Sequence, residues 1–172
     1  MVIAAHGGAI EPGTSELAEA IAGEEHACYT FSGEKAAGNG VLHITSARFD
    51  EPRCLELIGG CDQLVALHGC RGDEDAVYLG GRDEALKQVL ATSLGAAGFR
   101  VAPPQDEQLQ GLHPANICNR SRSGQGAQLE LTRGLRRSLF VGLNSAGREQ
   151  PTERLSVFVA AVREALSQPR SE

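Results

Sequence analysis

The chain contains no tryptophan, a single methionine, and aromatics at only 4% of its 172 residues. Platforms for single-stranded nucleic acid rely on stacked aromatic side chains, so this composition argues against one. Positive charge is also short. Sixteen Lys and Arg against 22 Asp and Glu give a formal net charge of −6, which disfavours general binding to nucleic acid or membrane surfaces. No apolar run approaches the roughly 18 residues that a spanning helix needs. Met1 leads straight into Val2–Ala5 with no basic stretch before it. No signal peptide is read, and the expectation is synthesis in a cytoplasm.

The 5 cysteines, Cys28, Cys54, Cys61, Cys70 and Cys118, are odd in number and include no Cys-x-x-Cys spacing. That fits neither a disulfide framework nor a zinc ribbon, and most are expected to be reduced, buried and small-hydrophobe-like. Three common signatures are missing as well: a phosphate-cradling glycine loop, a dinucleotide fingerprint and a Gly-x-Ser-x-Gly nucleophile elbow.

What is present is an alternation of short apolar runs with helical periodicity. Val2–Ala5, Ala27–Phe31, Val41–Ile44, Leu64–Leu67, Ala76–Leu79, residues 99–102 and 128–131 read as strands. Thr14–Ala22, Pro52–Ile58, Arg82–Ala97 and Thr152–Leu166 read as helices, the first opened by Pro12-Gly13 with Thr14 or Ser15 as cap. Leu155, Phe158, Val159, Val162 and Leu166 form one face of the last helix. No linker or repeat interrupts the pattern. It predicts one α/β domain over 1–172, with a mixed, largely parallel sheet flanked by helices.

In such folds ligands gather at the carboxyl ends of strands. His6 closes the first apolar run, His68 closes the fourth, and Glu130 lies late in the 128–131 stretch. Glu11 follows His6 by five residues, and Gly7-Gly8 allow the chain to fold it back. Two histidines and one glutamate make a zinc ligand set that leaves a fourth position for water. His26, His43 and His113 compete as ligands, and Cys70 could serve as a soft one.

Between Gln108 and Arg148 stand six arginines and one carboxylate, Glu130. Its isolation marks it as a candidate proton shuttle, with Arg82 and Arg120 as candidates for stabilising an oxyanion. The stretch as a whole suits a local anion site, while Arg136 and Arg137 read as a solvated helix face.

The stretch HGGAIEPGTSELA (6–18) resembles the opening signature of the phage-type poly-γ-glutamate hydrolases. ALHGC (66–70), YLGGRDEAL (78–86) and GLHPANICNRSRSGQGAQLELTRGLR (111–136) resemble later blocks in the same order, and FDEP (49–52) is a weaker match. The resemblance implies a carboxypeptidase-like α/β fold, one zinc ion per chain and cleavage of γ-glutamyl amide bonds. It implies His6, Glu11 and His68 as metal ligands and Glu130 as the catalytic glutamate. Asn119-Arg120 looks like the pair with which carboxypeptidases grip a substrate carboxylate. Arg82 is a second carboxylate clamp on chemical grounds. Ala5 departs from the family's proline before the first histidine, and Cys70 lies unusually close to the second.

The expected partner is an anionic γ-glutamyl polymer or a small acidic amide, met by a monomer that binds neither nucleic acid nor membrane. A phage-derived chain would be released on lysis. Two other readings stay open: a zinc deacylase of small N-acyl acidic amino acids, and a non-catalytic module for anionic polymers.

Overall fold

The computed structural model describes residues 1–168. Six strands form one sheet: β1 (Val2–Gly8), β2 (Cys28–Gly33), β3 (Val65–Gly69), β4 (Ala76–Gly81), β5 (Arg100–Ala102) and β6 (Ala127–Leu131). Six helices surround it: α1 (Thr14–Ala22), α2 (Pro52–Gly59), α3 (Glu84–Ala96), α4 (Arg133–Leu139), α5 (Ser145–Arg148) and α6 (Glu153–Ser167). The strand order is β2-β1-β3-β6-β4-β5. The first four strands in that order run parallel, and β4 with its parallel neighbour β5 runs against them. The sheet is therefore mixed, as the alternation of runs implies.

Period-two side-chain alternation divides the core. Val2 and Ala4 face one side, where they meet Leu67, Leu129, Leu17 and Ile21 of α1, Leu90 of α3, Leu135 of α4 and Phe158 of α6. Met1, Ile3 and Ala5 face the other side with Ala66, Phe49, Cys54 and Ile58 of α2, and Ile117. The chain leaves β1 for β2 by way of α1, then returns past β1 to β3 by way of α2. This reversal around β1 is the topological switch point at which open α/β sheets leave a crevice.

Three local expectations are revised. Val41–Ile44 is no strand: Asn39–Leu42 is a 3-10 turn, preceded by Gly38 at φ 72° and containing Gly40. Val41 is 76% exposed, so its β-branched side chain has no sheet face to pack on. Gly13, at φ 97°, caps α1, while the Thr14 hydroxyl donates to the Glu11 carbonyl and Ser15 Oγ accepts from the Gly8 N–H. Arg136 is no solvated residue. Its buried guanidinium donates to the carbonyls of Leu131, Pro12 and Cys70. The sequence pattern marks α4 only through the helix face of Arg136 and Arg137, and it does not mark α5.

Phe158 is fully buried beneath α3 and packs edge-on against Phe99 at 4.9 Å. Phe158→Ala is expected to cost about 3–5 kcal/mol in urea unfolding, with the α/β circular-dichroism spectrum retained. A loss under about 1 kcal/mol would show that α6 is not part of the cooperative core.

Candidate metal centre

His6 reaches the site through an irregularity in β1. Ala4 pairs with Thr30 and Gly7 with Ser32, so Ala5 and His6 together oppose the single residue Phe31. A bulge of this kind re-aims one side chain and is common beside active sites. Strict alternation would send His6 to the α1 face. Instead its ring lies edge-on to Phe49, 6.5 Å away on the α2 face. His68 and Glu130 reach the same face without a bulge, because they are directly paired across β3 and β6.

Glu11 comes back from the β1–α1 turn. Its backbone N–H donates to the His6 carbonyl at 2.8 Å, and its own carbonyl accepts from Thr14. Arg136 fixes the far side of the turn through the Pro12 carbonyl. The result is a buried trio, His6, Glu11 and His68, whose ligand atoms all lie within 4.8 Å of one another. His6 Nδ1 lies 3.1 Å from His68 Nδ1 and 3.1 Å from Glu11 Oε1, and His68 Nδ1 lies 3.5 Å from Glu11 Oε2.

The outer hydrogen bonds say what those atoms can hold. His6 Nε2 lies 2.5 Å from the Ile44 carbonyl, which can only accept. Nε2 therefore carries a proton, which leaves Nδ1, turned toward Glu11 and His68, as the atom that ligates a metal once it gives up any proton of its own. His68 Nε2 faces the Ser46 hydroxyl at 3.4 Å, and Glu11 Oε2 accepts from the Gly69 N–H at 2.8 Å. Two ring nitrogens and a carboxylate oxygen thus converge, each supported from outside. Zinc bonds of about 2.0–2.1 Å at tetrahedral angles separate ligand atoms by about 3.3 Å. The observed separations match that spacing, so the trio fits a single transition-metal ion.

Electrostatics agree with the geometry. Burial alone would raise the Glu11 carboxyl, but hydrogen bonds from His43, His6 and His68 hold it well below the usual carboxylate range. For His68, burial works against the charged ring, yet the Glu11 carboxylate outweighs it and the net direction is upward. Glu130 behaves oppositely: desolvation pushes it up to about 7, helped by the Glu11 charge and opposed by His68. Gln128 Nε2 donates to Glu130 Oε1 at 2.9 Å, and Gln128 Oε1 accepts from Asn116 Nδ2 at 3.1 Å. A buried carboxyl poised near neutrality beside a metal trio can both take up and release a proton.

These groups floor a cavity of about 940 Å³. Its walls include His43, Ser46, Cys70, Arg71, Asp106 and His113. The sequence-based candidates for carboxylate binding lie elsewhere. β4 runs antiparallel to β6, and Gly81 pairs with Ala127, so Arg82 emerges at the entry end of β6 rather than beside Glu130. Asn119 is buried, and its side chain serves the backbone, donating to the carbonyls of Gly111 and His113 and accepting from the Arg82 N–H. Arg120 is exposed, and neither it nor Arg82 lines the cavity.

Most of the arginine stretch is engaged within the chain. Arg122 pairs with Asp62, Arg133 and Arg137 with Asp73, and Arg148 with Glu16. Of the competing histidines, His43 stacks on His6 at 4.0 Å and bonds Glu11 Oε1 at 3.1 Å, while His113 lies on the cavity wall. Sequence reading left Arg71 out altogether. Its position three residues after His68 was the available signal.

The family model for poly-gamma-glutamate hydrolase matches residues 1–161. The chain belongs to this family. Among curated relatives it is 43% identical over 141 residues to the UPF0714 protein YndL of Bacillus subtilis (strain 168), covering 81% of this chain and 56% of the relative. It is 36% identical over 149 residues to the SPbeta prophage-derived UPF0714 protein YoqZ of the same strain, covering 86% and 54%. The chain therefore spans little more than half the length of these relatives. Among solved structures, a bacteriophage poly-gamma-glutamate hydrolase superposes with a TM-score of 0.93 at 30% identity, covering 96% of this chain and 82% of that one. A zinc-free apo structure of YndL gives 0.90 at 38% identity, with the same coverages. The α/β family fold is thus established for this chain.

One short segment supports all three members of the trio: His43 touches Glu11, Ile44 touches His6, and Ser46 touches His68. Replacing outer-shell partners of this kind typically weakens metal binding about 10–100-fold. The double variant His43→Ala/Ser46→Ala is expected to lose zinc affinity by that factor in chelator competition, with the fold retained by circular dichroism and only a modest loss in metal-free urea unfolding. Unaltered zinc affinity would show the segment to be a mere lining.

Proposed function

We propose that this chain is a zinc-dependent hydrolase of γ-glutamyl amide bonds, with poly-γ-glutamate as its substrate. The observation that carries the reading is the direct pairing of Glu130 with His68, which sets a carboxyl poised near pH 7 beside the convergent trio on the floor of an open cavity. Membership of the poly-gamma-glutamate hydrolase family and the zinc-free form of YndL support it. His6, Glu11 and His68 would hold the ion through Nδ1, a carboxylate oxygen and Nδ1. Bound zinc supplies Lewis acidity and a water that ionises near neutral pH.

The remaining chemistry belongs to the chain. Glu130, as carboxylate, takes the proton of the attacking water and delivers it to the leaving amide nitrogen. Desolvation suits it to both acts, since a group with a pKa of about 7 exchanges its proton at little cost near neutral pH. Gln128 restrains Oε1 of Glu130, a residue that lines the cavity. Asn119 acts as a positioning residue that fixes the Gly111–His113 wall. Arg82 and Arg120, outside the lining, would meet only a polymer long enough to run beyond the cavity. No helix among the described residues is long and apolar enough to cross a membrane.

The purified wild type is expected to carry about one zinc per chain by mass spectrometry and to shorten poly-γ-glutamate, read by gel filtration. His68→Ala loses the metal. Glu130→Gln keeps the metal and loses about 10²–10⁴-fold in cleavage rate. Polymer cleavage that survives Glu130→Gln would remove Glu130 from the mechanism. A wild type that cleaves only small N-acyl glutamates would transfer the site to the deacylase reading, and one that binds polymer without cleaving anything would make it a binding module.

A further inference from the structure

Poly-γ-glutamate is linked through side-chain carboxyls, so every residue keeps a free α-carboxylate close to the scissile amide. On the reading above, an acidic cavity must accept such a group. Its wall and floor carry Glu11, Glu130, Asp106 and Glu107, and Arg71 is the single Lys or Arg among the lining residues. Apart from the ion the trio would hold, an anion entering that field has one permanent positive charge to meet.

Arg71 is also held for the task. The Cys70 N–H donates to the Leu131 carbonyl at 2.9 Å, the Cys70 carbonyl accepts from Arg136 Nη2 at 3.0 Å, and the Gly69 N–H donates to Glu11 at 2.8 Å. The backbone just before Arg71 is thus tied to β6, to α4 and to the metal trio. Yet the Arg71 guanidinium makes no hydrogen bond or ion pair among the described residues, whereas Arg122, Arg133, Arg137, Arg148 and Arg154 all have carboxylate partners. A tethered backbone that carries an exposed, unengaged two-pronged donor at the cavity wall suits bidentate capture of a carboxylate.

We propose that Arg71 is the subsite for the substrate's free α-carboxylate, the residue that selects γ-linked acidic chains over neutral amides. It binds the carboxylate next to the scissile bond and so orients that bond toward His68 and Glu130. The carboxylates of Asp106 and Glu107 disfavour the reversed placement.

The test uses the full chain, zinc-loaded, with Glu130→Gln to prevent turnover. A γ-linked glutamate trimer and its α-amidated counterpart are titrated by calorimetry. Arg71→Ala is expected to weaken the trimer about 10–100-fold and to leave binding of the amidated counterpart unchanged, with Arg71→Lys between the two. Equal affinity of Arg71→Ala and its parent for the trimer would overturn the proposal. So would equal weakening for both ligands, no trimer binding at all, or a loss found in Arg82→Ala or Arg120→Ala instead.

Cleavage by the wild type is measured separately. Arg71-dependent binding without cleavage would sink the hydrolase reading and keep the subsite. Cleavage with unchanged binding in Arg71→Ala would do the reverse.

Discussion

A carboxylate buried among imidazoles is the constraint around which this molecule is arranged. Glu11 faces His6, His43 and His68 and takes a backbone N–H from Gly69. Removing a carboxylate from water costs several kcal/mol unless it is paired and hydrogen-bonded. The surrounding groups supply that compensation and dictate the local chain path. The β1–α1 turn must return Glu11 to the strand it has just left, which explains the left-handed Gly8 and Gly13 at its two ends. A Cβ at Gly8 would lie 2.6 Å from the Gly33 carbonyl oxygen, so the turn admits no side chain there.

Arg136 is the counterpart beneath the site. Its three backbone carbonyl partners come from the Glu11 turn, the end of β3 and the end of β6, so one guanidinium ties together the segments that carry Glu11, His68 and Glu130. A buried arginine bonded only to carbonyls is costly in isolation. Here Glu11 and Glu130 both favour its charge while burial disfavours it. Burying the charge and organising the site are therefore coupled.

The two carboxyls illustrate how environment divides one chemistry into two roles. Both are largely desolvated. Glu11 receives several hydrogen bonds and stays ionised, while Glu130 receives one side-chain bond, from Gln128, and is pushed up to about 7. The proposed ligand and the proposed proton carrier thus differ in hydrogen-bond supply rather than in residue type.

Periodicity by itself determined the strands flanking the site, the long helices α3 and α6, and the α/β class, because each depends on local spacing of apolar residues. The block order from His6 to Arg136 singled out the candidate metal trio and Glu130, which the fold brings to one cavity. Other features were settled only in three dimensions. The bulge that turns His6 toward the α2 face depends on its pairing with β2, which no local pattern encodes. The antiparallel direction of β4, which carries Arg82 away, follows from packing of the whole sheet. Val41–Ile44 has strand composition but no strand beside it, and the following residues instead support the metal trio. The arginine stretch looked like an anion site because sequence shows charges without their partners. Folding brings Asp62, Asp73 and Glu16 to most of them, since ion pairing between residues 60 or more apart is decided by tertiary structure alone, while Arg71, outside that stretch, lines the cavity.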